Sequence, residues 1–238
     1  DTQLVGTMTE NEEPSYSNIV TENGDNISLY FDYDDYEKSL LDLYPNASGA
    51  YSLRLLNHVW EYMPVVEVRR SSDDAEQSFT AAEVADGTLL TWVGSNDGHV
   101  TTWYDQSGNG NNATQTDPAK QPKIVEGGVM VADGLKFDGE DTLDLTTDII
   151  SSTNNVSSFL VSQTNDISGS TIPLALSRNS PNDARYYLGV VNAGNFYLGY
   201  GTDAYEINLG TADTSTHLFS ATSNNTTTEA FIDTVSKG

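Results

Sequence analysis

Between Val100 and Gln115 the chain reads VTTWYDQSGNGNNATQ, its densest run of groups able to bind or hydrogen-bond a ligand. Val100 to Tyr104 alternates as a strand. Gly108 and Gly110 then supply left-handed backbone, which Asn109, Asn111 and Asn112 also tolerate. Trp103 and Tyr104 offer flat aromatic surface, while Asp105, Gln106, Asn109 and Asn111 offer carboxylate and amide groups. An aromatic face beside planar hydrogen-bonding groups is the chemistry that recognises a sugar ring, so these residues form the candidate glycan site. A tight structural turn built from the same residues is the competing reading.

Two smaller constellations carry other chemistry. Asp138, Glu140 and Asp141, with Asp144 close behind in FDGEDTLD, are the candidate Ca²⁺ site, because oxygen-rich loops suit that ion. The spacing lacks the EF-hand order, and an acidic turn between strands explains it equally well. No other cofactor is expected. Arg54, Arg69 and Arg70 are rare cations in an acidic chain, and the expected role is a structural clamp, such as a bidentate grip on Asp73 or Asp105. His58, His99 and His217 show neither metal-ligand spacing nor a nucleophile partnership, and read as surface or packing histidines.

Ten Lys plus Arg against 35 Asp plus Glu leave a formal charge of −25 over 238 residues. Nucleic acid and anionic membrane are thereby excluded as expected partners, since Lys and Arg must displace counterions from phosphate. The absence of cysteine removes disulfides, thiolate zinc sites and a cysteine nucleophile. No apolar stretch approaches the roughly 18 residues of a membrane helix. A start at Asp1 fits a processed or trimmed product. The Asn-x-Ser/Thr sequons at Asn26, Asn46, Asn112 and Asn155 read as surface turns.

The elements that must position these residues are mostly strands. Residues 1–48 read as an acidic N-terminal arm or attachment segment, with a strand over Ile27 to Tyr33 and a short helix over Tyr36 to Tyr44 stopped by Pro45. Residues 49–238 read as one lectin-like domain. Val65 to Arg69 alternates, with Val66 and Val68 against Glu67 and Arg69, and a short helix is expected over Ala81 to Ala85. Further strands are expected over Phe159 to Gln163, Ile172 to Leu176, Tyr186 to Val191, Phe196 to Tyr200, His217 to Thr222 and Glu229 to Asp233. Asn192 to Asn195 should join two of them as a hairpin. Such spacing without long helices predicts an all-β sandwich or jelly roll.

Five segments in order carry a family resemblance: Ala50-Tyr-Ser-Leu-Arg54, Val68-Arg-Arg-Ser-Ser-Asp73, Thr102-Trp-Tyr-Asp-Gln-Ser-Gly-Asn-Gly-Asn111, Gln121-Pro-Lys-Ile-Val125 and Leu135-Lys-Phe-Asp-Gly139. Together they resemble the catalytic-domain family of fungal α-L-arabinofuranosidase B and its relatives among bacterial and phage structural proteins. The resemblance spans residues 47–145, and beyond them only the rhythm of laminin-G and lectin-like sandwiches continues. It implies a concanavalin-A-like jelly-roll β-sandwich. Those enzymes use a Glu nucleophile and an Asp acid/base above an adjacent-cysteine disulfide. This chain has no cysteine and no match to the nucleophile segment, so no catalytic residue carries over.

The expectation is therefore a non-catalytic jelly-roll module of a phage virion fibre, tail or head-decoration protein, or of another surface protein. Its expected place is an extracellular or virion surface, its expected partners a glycan, neighbouring subunits or further copies of itself. The alternative is a retaining glycoside hydrolase acting on α-L-arabinofuranosyl side chains, which needs two carboxyl groups about 5–5.5 Å apart.

Overall fold

The computed structural model describes residues 17–20, 26–29, 38–131, 134–145, 147, 149, 156–165, 167, 174–177, 185–192, 194–201, 205–223, 227–233 and 235–236. Strands β1 (Ser17–Val20) and β2 (Asn26–Leu29) pair antiparallel ahead of a one-turn helix α1 (Leu40–Leu43). The expected strand to Tyr33 and the first residues of the expected helix fall outside the described residues. Asp42 fixes the start of α1, its Oδ2 accepting both the amide (2.8 Å) and the hydroxyl (2.5 Å) of Ser39.

The next unit is a branched antiparallel sheet. It holds β3 (Pro64–Arg70), β4 (Glu76–Thr80), β5 (Gly98–Trp103), β6 (Ala113–Thr114), β7 (Lys123–Glu126), β8 (Val129–Met130) and β9 (Asp144–Leu145), in the order β4-β3-β5-β6-β9. It forks at β5, whose Trp103 end pairs with β6 and whose Gly98 end pairs with β7; β8 pairs with β7. Helices α2 (Ala81–Ala85) and α3 (Thr88–Val93) lie between β4 and β5. Thr80 and Glu83 cap α2 reciprocally, and Gly87, at φ 86°, turns the chain into α3. Leu89 and Val93 of α3 are buried in one cluster with Val65, Val66, Val68, Phe79, Val100, Ile124 and Val125. Taking each such side chain out of water contributes about 1.5–3 kcal/mol. Strict alternation fails in β3: register shifts leave Val65 and Val66 both buried, and Arg69 is buried as well.

Two further antiparallel sheets follow. One contains β10 (Val156–Ser162), β15 (His217–Ser223), β16 (Thr228–Ile232) and β17 (Val235–Ser236) in that order; the other contains β11 (Leu174–Ser177), β12 (Arg185–Asn192), β13 (Asn195–Gly201) and β14 (Tyr205–Thr211) in sequence. The sheets face each other, β12 against β15 and β14 against β16. Val156, Phe196, Leu198, Leu209, Ala212, Phe219, Ala221 and Ala230 fill the space between them. The β12–β13 hairpin closes at Asn192 opposite Asn195, with Gly194 at φ 78°. The protein is thus all-β, of the jelly-roll or sandwich type, and its helices are short.

Candidate functional site

The Trp103–Asn111 loop is a structural fastening. Asp105 and Gln106 are fully buried. The Asp105 carboxylate accepts the amides of Ala50 (2.9 Å), Ser107 (2.9 Å) and Asn111 (3.1 Å), and the Ser107 hydroxyl (2.7 Å). Gln106 Nε2 donates to the carbonyls of Ser52 and Arg54, each at 2.9 Å, while its Oε1 accepts the Leu56 amide at 2.8 Å. Asn109 Nδ2 donates to the Ala47 carbonyl and Asn111 Nδ2 to the Ser48 carbonyl, both at 2.8 Å. The Tyr51 hydroxyl completes the set on the Asn111 carbonyl. Gly108 and Gly110, at φ 87° and 73°, make the turn possible.

These bonds correct the reading of Asp105 and Gln106 as ligand-facing groups. The Gln106 amide is taken up by segment 47–56, and the Asp105 carboxylate by the Ala50 amide of that segment together with Ser107 and Asn111 of the loop itself. The aromatic members are only partly exposed: Trp103 tilts against Tyr51 with ring centroids 5.9 Å apart, and the Tyr104 hydroxyl meets Ser78 Oγ at 3.1 Å. Burial, with the Asp105 charge adding to it, pushes the Tyr51 phenol well above its ordinary value.

The arginines divide. Arg70 grips Asp73 through two parallel bonds, Nε to Oδ1 at 3.0 Å and Nη2 to Oδ2 at 2.7 Å, and its Nη1 donates to the Trp92 carbonyl at 2.6 Å. Arg69 donates to Gln121 Oε1 at 2.8 Å and Asp74 Oδ1 at 2.7 Å. The Arg54 side chain is exposed, and it is the residue's backbone carbonyl that enters the loop fastening, which corrects its place among the clamps. Asp105 is held by backbone amides instead, which need no countercharge.

In the acidic turn, Asp138 and Asp141 serve the backbone: Asp141 Oδ2 accepts the Asp138 amide at 3.0 Å, and Asp138 Oδ1 accepts the Glu140 amide at 3.4 Å. Burial first, and then the neighbouring Asp138 charge, raise the Asp141 pKa. Among the described residues, no three His, Asp or Glu side chains converge as a metal-binding group, Asp138, Glu140 and Asp141 included.

An open cleft of about 420 Å³ lies elsewhere, lined by Gln77, Asp86, Gly87, Thr88, Thr91 and Trp92. β4 contributes Gln77; the α2–α3 turn and α3 contribute the rest. Two side chains pack on Trp92: the Arg70 guanidinium carbon sits over its ring, 4.6 Å from the centroid, and Phe79 meets it edge-on at 5.5 Å. Asp86 Oδ1 accepts the Thr88 amide at 2.9 Å, and the Thr88 bonds hold its pKa below the ordinary carboxylate value. The cleft thus offers an indole, an amide, two hydroxyls and one ionised carboxylate. Sequence reasoning did not single out Trp92, and Gln77 lies fifteen residues from it.

No family model matches the chain, and no curated protein matches it. Two solved structures are similar to it, both of GH54 α-L-arabinofuranosidase. One is a variant soaked with 4-nitrophenyl α-L-arabinofuranoside, at 13% identity and TM-score 0.48. The other is the enzyme soaked with a cyclic sulfate inhibitor, at 13% identity and TM-score 0.47. Each alignment covers 77% of this chain and 47% of the enzyme chain, so this chain spans about half the length of either.

Proposed function

We propose that this protein is a non-catalytic β-sandwich module that holds a neutral saccharide in the Trp92 cleft. The observation that carries the reading is the cleft's composition: one indole beside Gln77, Thr88, Thr91 and a single carboxylate, Asp86. An indole face stacks on the C–H face of a pyranose or furanose, and amide, hydroxyl and carboxylate groups engage its hydroxyls. Hydrolysis requires two carboxyl groups flanking the bond, one of them protonated at working pH. The cleft lining holds one, and its depressed pKa keeps it ionised. A net charge of −25 disfavours anionic sugars, so the ligand class is neutral.

The test is a neutral-glycan array with titration of hits by tryptophan fluorescence, beside hydrolysis of 4-nitrophenyl α-L-arabinofuranoside. Selective binding is expected, with Trp92→Ala weakening it about tenfold or more, since an aromatic contact contributes about 0.5–1.5 kcal/mol beyond its buried area. Turnover that disappears on changing one carboxylate overturns the reading in favour of a glycosidase. Binding that survives Trp92→Ala places the ligand elsewhere.

A further inference from the structure

His217, read from sequence as a surface or packing residue, lies between two carboxylates. Its Nδ1 is 2.6 Å from Asp233 Oδ2 and its Nε2 is 3.0 Å from Asp213 Oδ1. The side chain is only 12% exposed, and its ring meets those of Phe196 (5.3 Å) and Phe219 (5.8 Å) edge-on. Asp213 belongs to the loop between β14 and β15; its Oδ1 also accepts the Ser215 amide at 2.7 Å. Asp233 forms the turn between β16 and β17 at φ 50°. Its Oδ1 accepts the Leu218 amide at 3.0 Å, and its own amide donates to the Leu218 carbonyl at 2.9 Å.

A neutral imidazole carries one N–H and can satisfy one of these carboxylates; its other nitrogen would turn a lone pair towards the second. Only the imidazolium donates to both. We propose that His217 is a proton-dependent latch, binding the β14–β15 loop to the β16–β17 turn while protonated and releasing one of them when it loses its proton. The reading is independent of the saccharide cleft.

The charged groups facing the ring are Asp213 from the β14–β15 loop and Asp233 from the β16–β17 turn, while β13 and β15 present the uncharged Phe196 and Phe219. Burial of the ring opposes its charge, but the bonds to Asp233 and Asp213 outweigh it and raise the His217 pKa above 6.5. The Ser215 amide, with His217, lowers the Asp213 pKa below 3.8, and His217 foremost lowers that of Asp233. A group with a raised folded-state pKa stabilises fully below its unfolded value, about 6.5, and loses that contribution as pH rises through the folded value. The carboxylates act oppositely, losing theirs in acid as pH falls through their lowered values. The latch is therefore closed between the lowered carboxylate values and the raised His217 value, and loosens as pH rises through the latter.

The deciding experiment is an NMR titration of the histidine ring resonances of the full chain, joined to amide hydrogen exchange at Leu218 and Asp233. The His217 ring is expected to titrate above about pH 6.5. Exchange protection, corrected for intrinsic base catalysis, should fall several-fold across that titration. Asp213→Asn should lower the ring's midpoint, and His217→Gln should leave protection weak and independent of pH. A His217 midpoint at or below about 6.5, or protection unchanged across the titration, overturns the proposal. Both readings come from the unaltered protein, so they decide the matter even if a variant fails to fold.

Discussion

Asp105 Oδ1 accepts the Ala50 amide at 2.9 Å across 55 residues of sequence, and the next residue accepts the same strap's Leu56 amide through its side-chain oxygen. The loop after β5 and the segment ahead of β3 are thus one hydrogen-bonded structure. A buried carboxylate with four such partners acts as a fixed acceptor, and removing it strands the donors.

We predict that Asp105→Ala destabilises the protein by about 3 kcal/mol, because the Ala50, Ser107 and Asn111 amides lose their acceptor in a water-poor site. Asp105→Asn, which keeps one acceptor oxygen, should cost roughly half as much. Urea unfolding of the three proteins at one pH checks this, and equal stability of Asp105→Ala with the parent would refute the fastening role.

Gly98 begins β5 without special backbone geometry, yet a Cβ there would meet Val68 Cγ1 and Val93 Cγ2 at 3.1 Å and Val125 Cβ at 3.3 Å. These atoms belong to three different elements of the packed core. Gly98→Ala is predicted to cost about 1–3 kcal/mol through overpacking, read as a lower urea midpoint at unchanged slope.

Asp97 Oδ1 accepts the Gly127 amide at 2.7 Å, and its Oδ2 pairs with Lys123 Nζ at 2.9 Å. The Gly127 amide first, then Lys123, hold its pKa below 3.8. A depressed carboxylate stabilises above its unfolded pKa and loses the contribution as pH falls through the folded one. Asp97→Asn is predicted to flatten the acid limb of the melting-temperature profile below about pH 4 and, because the Asp97 bond foremost raises the Lys123 pKa, to shrink the loss of stability in strong alkali as well. An unchanged acid limb would show that the pair contributes nothing.

The strands were legible where alternation or turn chemistry is local. β12 and β13 follow from their aromatic runs and the Asn192–Asn195 turn, and α2 from Ala81 to Ala85. The helix α3 was not: TLLTWV places Leu89, Trp92 and Val93 at helical spacing but over barely more than one turn, too short to stand out, and Gly87 in the left-handed region together with burial of Leu89 and Val93 decides the matter. The role of Asp105 was hidden for a different reason. Its partners are backbone amides, which every residue but proline owns, so no spacing announces them. His217 was missed because Asp233 lies sixteen residues on and reaches it only through the β15–β16 pairing. Trp92 was passed over because Arg70, which packs on it, comes from the end of β3.

The two apolar clusters draw on consecutive stretches of chain: one is made of side chains between Leu53 and Leu143, the other of side chains between Val156 and Ile232. Neither must wait for the other's residues. On a ribosome the first cluster can bury itself while the second is still being translated, so the acidic chain need not expose both sets of valines, leucines and phenylalanines to water at once.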